Sequence, residues 1–162
     1  MSLCNVTRPI CDRLSTMVGL WVAVLDTDTS KKRTTAMTRK DYLEAIGSLI
    51  KGVTIISLNA YFAFSKHEAN LPRTAFIAIQ KSGERVSQEM STFTQIVPRT
   101  SEQHLQLLAC TLDAVKHCEL VFGAVDATLT DGADKEACEK GLNALREATE
   151  FIQVLAEIEV PN

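Results

Sequence analysis

The fold is decided by residues 41–64, which read DYLEAIGSLIKGVTIISLNAYFAF. Apolar side chains recur there every three or four residues, at Tyr42, Ile46, Leu49, Ile50, Val53, Ile56, Ala60, Ala63 and Phe64. This spacing places them along one side of an α-helix, whereas a half-buried strand would alternate apolar and polar residues. The run Val53–Ile56 favours a strand locally, yet the helical spacing continues through it. We therefore predict one long helix, apolar on too much of its circumference to be a surface helix.

The same spacing recurs in four other segments, which span Ile10–Val24, Phe76–Val97, Leu105–Val125 and Cys138–Ala156. The face predicted for the Leu105–Val125 segment consists of Leu105, Leu108, Leu112, Val115, Cys118, Phe122 and Val125. With only 7 glycines and 4 prolines in 162 residues, a many-stranded sandwich or barrel is disfavoured. Short connections favour antiparallel neighbours. The prediction is an all-α fold, an up-and-down antiparallel bundle of about five long helices in a single domain over residues 1–162.

Residues at the ends of these segments support the division. Pro72 suits the first turn of the third helix, and Thr100 with Gln103 has the spacing of a capping box for the fourth. Asp131-Gly132 interrupts the chain before the fifth helix. The longest predicted connection is residues 26–40, where Ala36 and Met37 are the only apolar side chains. We predict a mobile polar loop there.

Composition bounds the location and the class of partner. The formal net charge of −3 is unfavourable for binding nucleic acid over the whole surface, so we do not expect a nucleic-acid partner. The five cysteines have no CxxC spacing, which favours a reduced intracellular compartment. The sequence shows no signal-peptide pattern, and the apolar stretch Val53–Phe64 is too short to span a bilayer. The prediction is a chain without a membrane partner, located in the cytoplasm and, as a second location, the nucleus.

Motifs of catalysis are missing from the sequence. The patterns GxSxG, GxxxxGK[ST], GxGxxG, ExxH and HExxH do not occur, and Ser48–Lys51 matches SxxK without its companion motifs. His117 follows Asp113 by one helical turn, but two ligands are too few for a zinc site, and a surface or half-buried histidine is the simpler reading. Cys118 diverges from His117 by about 100° around a helix. We predict a non-enzyme without cofactor or metal.

Two groups of side chains are candidate binding residues. Tyr61 and Phe62 lie off the main apolar face of the second helix and would meet a sixth helix, a partner or a second copy of the chain. Five cations lie within ten residues, at Lys31, Lys32, Arg33, Arg39 and Lys40. Such a patch is typical of phosphate binding or nuclear import, and the neighbouring hydroxyls would allow phosphorylation to cancel it. The alternative is a solvated loop that binds nothing.

The last segment carries excess negative charge. Between residues 134 and 159, seven acidic side chains outnumber Lys135, Lys140 and Arg146. An acidic face can steer a basic partner towards the protein, although a solvated face is the simpler explanation.

The order of segments resembles the N-terminal half of the cyclin-D-interacting (Grap/cyclin-D-interacting) family of helical proteins. The similarity spans residues 14–157 and is carried by Met17-Val18-Gly19-Leu20-Trp21, by Leu43–Ala63, by Leu71-Pro72-Arg73, by Leu107-Leu108-Ala109-Cys110 and by the final acidic helix. This chain is shorter than the family's members and lacks their extended acidic stretch. The resemblance implies an all-α protein without catalysis that binds cell-cycle and helix-loop-helix regulators in the cytoplasm and nucleus. It implies no individual site residue.

Three functions remain open from the sequence. The first is a non-enzymatic interaction or adaptor module whose apolar groove docks a partner's amphipathic helix. The second is a small-molecule carrier or enzyme with a cavity inside the bundle, where the polar groups would be Thr54, Ser57, Asn59 and His117. The third is a self-associating structural subunit, a homodimer in which the second helix pairs across a two-fold axis.

Overall fold

The computed structural model describes residues 8–27, 38–93 and 97–161. Within these ranges the backbone forms five α-helices, which are α1 (Arg8–Thr27), α2 (Arg39–His67), α3 (Arg73–Phe93), α4 (Ser101–Asp126) and α5 (Ala133–Ala156). A short 3₁₀ turn, Glu68–Asn70, follows α2. The all-α bundle prediction is confirmed, and α2 runs without a break through the β-branched residues Val53–Ile56.

Side-chain contacts fix the helix directions. Arg8, at the start of α1, lies over the ring of Tyr61, near the end of α2, with its Cζ 5.5 Å from the ring centroid. Ser82 and, one turn later, Arg85 of α3 contact His117 and, one turn earlier, Asp113 of α4. Lys135, at the start of α5, contacts Asp126, at the end of α4. The pairs α1/α2, α3/α4 and α4/α5 are therefore antiparallel. In contrast, α2 and α4 pack side by side in parallel, and α5 lies against both.

The helix starts follow local sequence signals. Thr38 and Asp41 form a capping box at the start of α2, and Thr100 and Gln103 form the predicted one at α4. Gly132 precedes α5 with φ = 101°, a conformation that glycine adopts without the steric cost of a side chain. These ends correct the bounds of the predicted loop 26–40, because α1 continues to Thr27 and α2 already begins at Arg39. Residues 28–37 lie outside the described part of the chain.

One predicted core face is wrong in detail. Leu105 of α4 is 51% exposed, whereas its neighbour His104 is buried. The reason is that Leu105 is in helical register with Ala109, Lys116 and Gly123, which are all exposed. His104 instead lies on the broad face of α4 that packs against α2, α3 and α5. Polar residues lie on that buried face where neighbouring groups form their hydrogen bonds.

His104 joins three helices at one end of the bundle. Its Nε2 lies 2.8 Å from the carbonyl oxygen of Leu155 in α5, and its Nδ1 lies 2.7 Å from the hydroxyl of Tyr42 in α2. A carbonyl only accepts, so Nε2 carries the proton and Nδ1 accepts from Tyr42. Burial raises the pKa of Tyr42 to about 12, which keeps that hydroxyl a donor. We call Tyr42, His104 and Leu155 the His104 cluster.

Candidate functional site: an apolar groove between α2 and α5

A long groove follows the line along which α2 and α5 diverge. Its larger section encloses about 580 Å³. It is lined by Ile55, Ile56, Asn59, Phe62, Ala63, Lys66 and His67 of α2, Phe122 of α4, and Asp134, Ala137, Cys138, Lys140, Gly141 and Ala144 of α5. A shallower section continues past Ile56 and Ala144 to Ser48 and Phe151. The two sections together, which span the 20 residues of α2 from Ser48 to His67, form the α2/α5 groove, roughly 29 Å long at the rise of an α-helix.

The wall on α2 is apolar and open to water. Ile55 is 56% exposed and Phe62 is 58% exposed. The two residues are seven positions apart, which is two helical turns, so they project from the same side of α2. Large side chains of this kind are ordinary when scattered, but here they lie together at the mouth of a concave apolar groove, which makes the groove the candidate site.

The floor of the groove is set by a close approach between α5 and α4. Gly141 of α5 packs directly on the ring of Phe122, because a Cβ atom added at Gly141 would lie only 2.7 Å from the ring's Cζ. Ala137 and Ala144 stand one turn to either side of Gly141 on the same groove-lining face. Small residues at these positions leave open the space that larger side chains would have filled. The groove therefore arises from the sequence of α5 as much as from that of α2.

A charged cluster closes one end of the groove. The carboxylate of Asp134 lies 2.9 Å from Nζ of Lys66 and 3.1 Å from Nε2 of His67. These contacts, that of Lys66 first, lower the pKa of Asp134 and hold it ionised. Lys140 also lines the larger section, and Glu147 lines the shallower one. The groove thus has an apolar centre with charged side chains along its α5 edge.

The two aromatic residues predicted to bind a partner face different neighbours. Phe62 lines the α2/α5 groove. Tyr61 is half-buried on the side of α2 that meets α1, where it contacts Arg8. Their rings remain close, with centroids 5.7 Å apart. The structure therefore places Phe62 in the candidate site and Tyr61 beside it, at the α1/α2 contact.

The described residues include only two of the five predicted cations, Arg39 and Lys40, so the basic patch stays a prediction. Lys31, Lys32 and Arg33 lie outside the described residues. Arg39 donates to the carbonyl oxygens of Pro98 and Pro161, each at 3.3 Å, and so ties the start of α2 to the residues before α4 and to the end of the chain. Lys40 is exposed at the first turn of α2. Both Arg39 and Lys40 lie at the opposite end of α2 from Phe62.

His117 corrects the expectation of a surface or half-buried histidine, because it is only 1% exposed. Its Nδ1 lies 3.0 Å from the hydroxyl of Ser82, and its Nε2 is buried with no hydrogen-bond partner. Burial lowers its pKa to about 4, so the imidazole is neutral.

The four polar groups considered for an interior cavity do not converge. Thr54 and Ser57 each donate to a carbonyl of α2 itself, from Ile50 and Thr54 respectively. Asn59 lies on the groove. His117 lies between α3 and α4.

The buried thiols are poor nucleophiles. Cys11, Cys110, Cys118 and Cys138 are buried and free. Burial raises the pKa of each of them, that of Cys110 to about 12. Cys138 reaches the lining of the groove, but a thiol without thiolate character neither attacks nor ligates readily. Over residues 8–27, 38–93 and 97–161, no three His, Cys, Asp or Glu side chains gather as metal ligands would.

α2 also has the length and composition of a membrane-spanning helix. With the following turn it covers Arg39–Asn70, and 33% of its most apolar window is buried. A core helix of a bundle satisfies the same criterion, and α2 packs against α1, α4 and α5. Two of its exposed apolar residues, Ile55 and Phe62, line the α2/α5 groove.

Sequence reasoning identified Phe62 but missed the α5 side of the site. The spacing of Ala137, Gly141, Ala144 and Ala148 at three and four residues was the available signal, because small side chains in helical register leave a helix surface recessed.

The chain matches no protein-family model, no curated protein and no solved structure. The resemblance to the cyclin-D-interacting family stays a prediction.

Proposed function

We propose that this chain is a non-enzymatic helical-bundle interaction module, and that the α2/α5 groove docks an amphipathic helix. The observation that carries the proposal is the pairing of exposed Ile55 and Phe62 with a recessed floor of Gly141 and Ala144. An amphipathic helix inserts apolar side chains at positions i, i+3 or i+4, and i+7 into a groove of this kind. A groove roughly 29 Å long accommodates about five turns of such a helix.

The chemistry of the described residues supports binding over catalysis. The thiols have raised pKa values, and His117 is neutral and shielded from the groove. In the groove itself, the ionisable side chains are Lys66, His67, Asp134, Lys140 and Glu147, of which the first three contact one another. The resemblance adds the expectation of a cell-cycle or signalling partner, met in the cytoplasm or nucleus.

A small-molecule carrier is the second candidate. Its support is the groove volume of about 580 Å³, which lies within the usual range of 300–1,000 Å³ for ligand sites. A carrier would hold its ligand in the groove rather than in the interior that the sequence had suggested. An apolar acid, with its carboxylate at Lys66 or Lys140, is the ligand chemistry that this groove fits.

The test compares two single charges placed on exposed apolar positions. Phe62→Glu places a carboxylate at the groove, and the matched control Leu105→Glu places one at a similarly exposed site on α4. Each variant and the wild type are used to capture proteins from native cells and are titrated with a panel of amphipathic helical peptides. The proposal expects binding that Phe62→Glu removes and Leu105→Glu keeps. Equal binding by all three proteins would contradict it, and binding of small apolar acids alone would favour the carrier.

A further inference from the structure

We propose that the partner of the α2/α5 groove is a second copy of this chain, packed about a two-fold axis that crosses the groove. The inference rests on the proposed function, since it assigns a second copy to cover the same groove, with α2 of each copy facing α2 of the other and α5 facing α5. The inference is carried by the apolar and charged side chains along the groove. Their order lets one copy pair with a second copy that is related by a two-fold rotation and runs antiparallel to it.

The apolar side chains satisfy this symmetry. Ile55 and Phe62 are equally far from a point between Leu58 and Asn59. When two α2 helices pair antiparallel about that point, Ile55 of each copy faces Phe62 of the other. Leu58, which is 41% exposed, then lies near the axis in both copies. Each exposed aromatic side chain is covered by an aliphatic one, and each copy uses the same patch.

The charged side chains satisfy the same symmetry. Lys140 and Glu147 of α5 are equally far from a point between Asn143 and Ala144. An antiparallel arrangement about that point brings Lys140 of one copy to Glu147 of the other, and the converse, which makes two ion pairs. In a parallel arrangement Lys140 would meet Lys140, and Glu147 would meet Glu147. The charges therefore favour the antiparallel two-fold dimer.

The two points lie at nearly the same level of the bundle. Lys66 pairs with Asp134, and α2 and α5 run antiparallel, so the α2 point corresponds to a position between Gly141 and Leu142 of α5. This is two residues, or about 3 Å along the helix axis, from the α5 point. Lysine and glutamate side chains are long enough to bridge that offset. One axis thus serves both sets of contacts.

The register also accommodates the closed end of the groove. Lys51, which is exposed on α2, approaches Lys66 of the second copy. There, the ionised Asp134 carboxylate lies 2.9 Å from Nζ of Lys66 and offsets the added positive charge.

Charge reversal tests the inference without touching the bundle core, because Lys140 and Glu147 are both exposed. Sedimentation equilibrium of the full chain over a range of concentrations should give a wild-type dimer. Lys140→Glu and Glu147→Lys should each weaken dimerisation about tenfold or more, since each creates two like-charged contacts. The double variant, Lys140→Glu with Glu147→Lys, should restore the dimer to near wild-type strength. Circular dichroism confirms that all four proteins fold.

Three results would overturn the inference. They are a wild-type chain that stays monomeric at every concentration, a dimer that neither single reversal weakens, and a double variant no tighter than the single ones. A monomeric wild type that still loses a captured partner on Phe62→Glu would leave the proposed groove function standing. The second-copy inference would then fail by itself.

Discussion

The two ends of α2 are built in opposite ways. At its start, Tyr42 is fully buried, and its hydroxyl, both nitrogens of His104 and the carbonyl of Leu155 are all paired. Towards its end, Phe62 is largely exposed beside the recessed floor of the α2/α5 groove. A buried polar group stabilises a fold only when its hydrogen bonds are made. Exposed apolar surface does not stabilise the isolated chain, and it stabilises a complex only when a partner buries it. One helix therefore serves the stability of the chain at one end and, in the proposed function, its association at the other.

The largest expected effect separates two residues of α2 that differ by two positions. Val53→Asp places a carboxylate at a position that is 1% exposed, where burial of an unpaired charge costs more than about 4 kcal/mol. Ile55→Asp places the same group at the exposed groove wall and should change the free energy of unfolding by less than about 1 kcal/mol. Urea denaturation followed by circular dichroism measures both. Similar free energies of unfolding for the two variants would contradict the assignment of Val53 to the core face and Ile55 to the groove face.

The next effect concerns the His104 cluster. His104→Ala leaves the Tyr42 hydroxyl and the Leu155 carbonyl without partners and opens a cavity, so it should cost about 3–4 kcal/mol. Phe62→Ala, which also removes a ring but at an exposed site, should cost less than about 1 kcal/mol. Chemical denaturation of both variants gives the comparison. A smaller loss for His104→Ala than for Phe62→Ala would show that the contacts of the His104 cluster have been assigned wrongly.

His117 predicts a pH dependence of stability. Its pKa is about 4 in the folded chain and near 6.5 when unfolded. Above pH 6.5 the imidazole is neutral in both states, so it contributes no pH dependence there. As the pH falls from 6.5 towards 4, the unfolded chain binds the proton first, and the free energy of unfolding decreases. From pH 7 to pH 5 the expected decrease is about 2 kcal/mol.

The control for this effect is His117→Gln, which cannot take up the proton. Urea unfolding at pH 7 and pH 5 should show a smaller decrease in the variant than in the wild type, since carboxylates contribute equally to both. Equal decreases would mean that His117 is not buried as a neutral group.

The smallest effect compares two helical glycines. Gly141→Ala forces the ring of Phe122 to move from the floor of the groove and should destabilise the chain by about 1 kcal/mol. Gly123→Ala meets no atom within 4 Å and should stabilise α4 by about 0.5–1 kcal/mol. Thermal unfolding reports the sign of each change. If Gly141→Ala also proved stabilising, the close contact between α5 and Phe122 would be refuted.

The architecture was accessible from the sequence because the helical spacing was strong and local. The helical spacing of apolar residues through Val53 and Ile56 outweighed the strand propensity of the β-branched residues there. Thr100 with Gln103 and, separately, Gly132 determined where α4 and α5 begin. These signals act within a few residues, so they need no knowledge of packing.

The parts that escaped sequence reasoning depend on contacts between distant residues. His104 is not on the apolar face predicted for its segment, and its burial depends on Tyr42, 62 positions earlier, and Leu155, 51 positions later. The same holds for the groove, which requires α5 to rest on Phe122 through Gly141. The sequence was enough to place Phe62 off the core face of α2. It was not enough to predict the groove that Phe62 lines, because that groove depends on α5.

Hydroxyl-radical footprinting of Phe62 and Phe64 tests the central claim most directly, because these two rings lie two residues apart on α2 and are 58% and 0% exposed. In dilute protein, Phe62 should be labelled rapidly and Phe64 hardly at all. At high concentration the labelling of Phe62 should fall as the groove is covered, while Leu105 on α4 remains equally reactive. A Phe62 protected to the level of Phe64 in dilute protein would contradict an open groove, and constant labelling at every concentration would contradict its use for self-association.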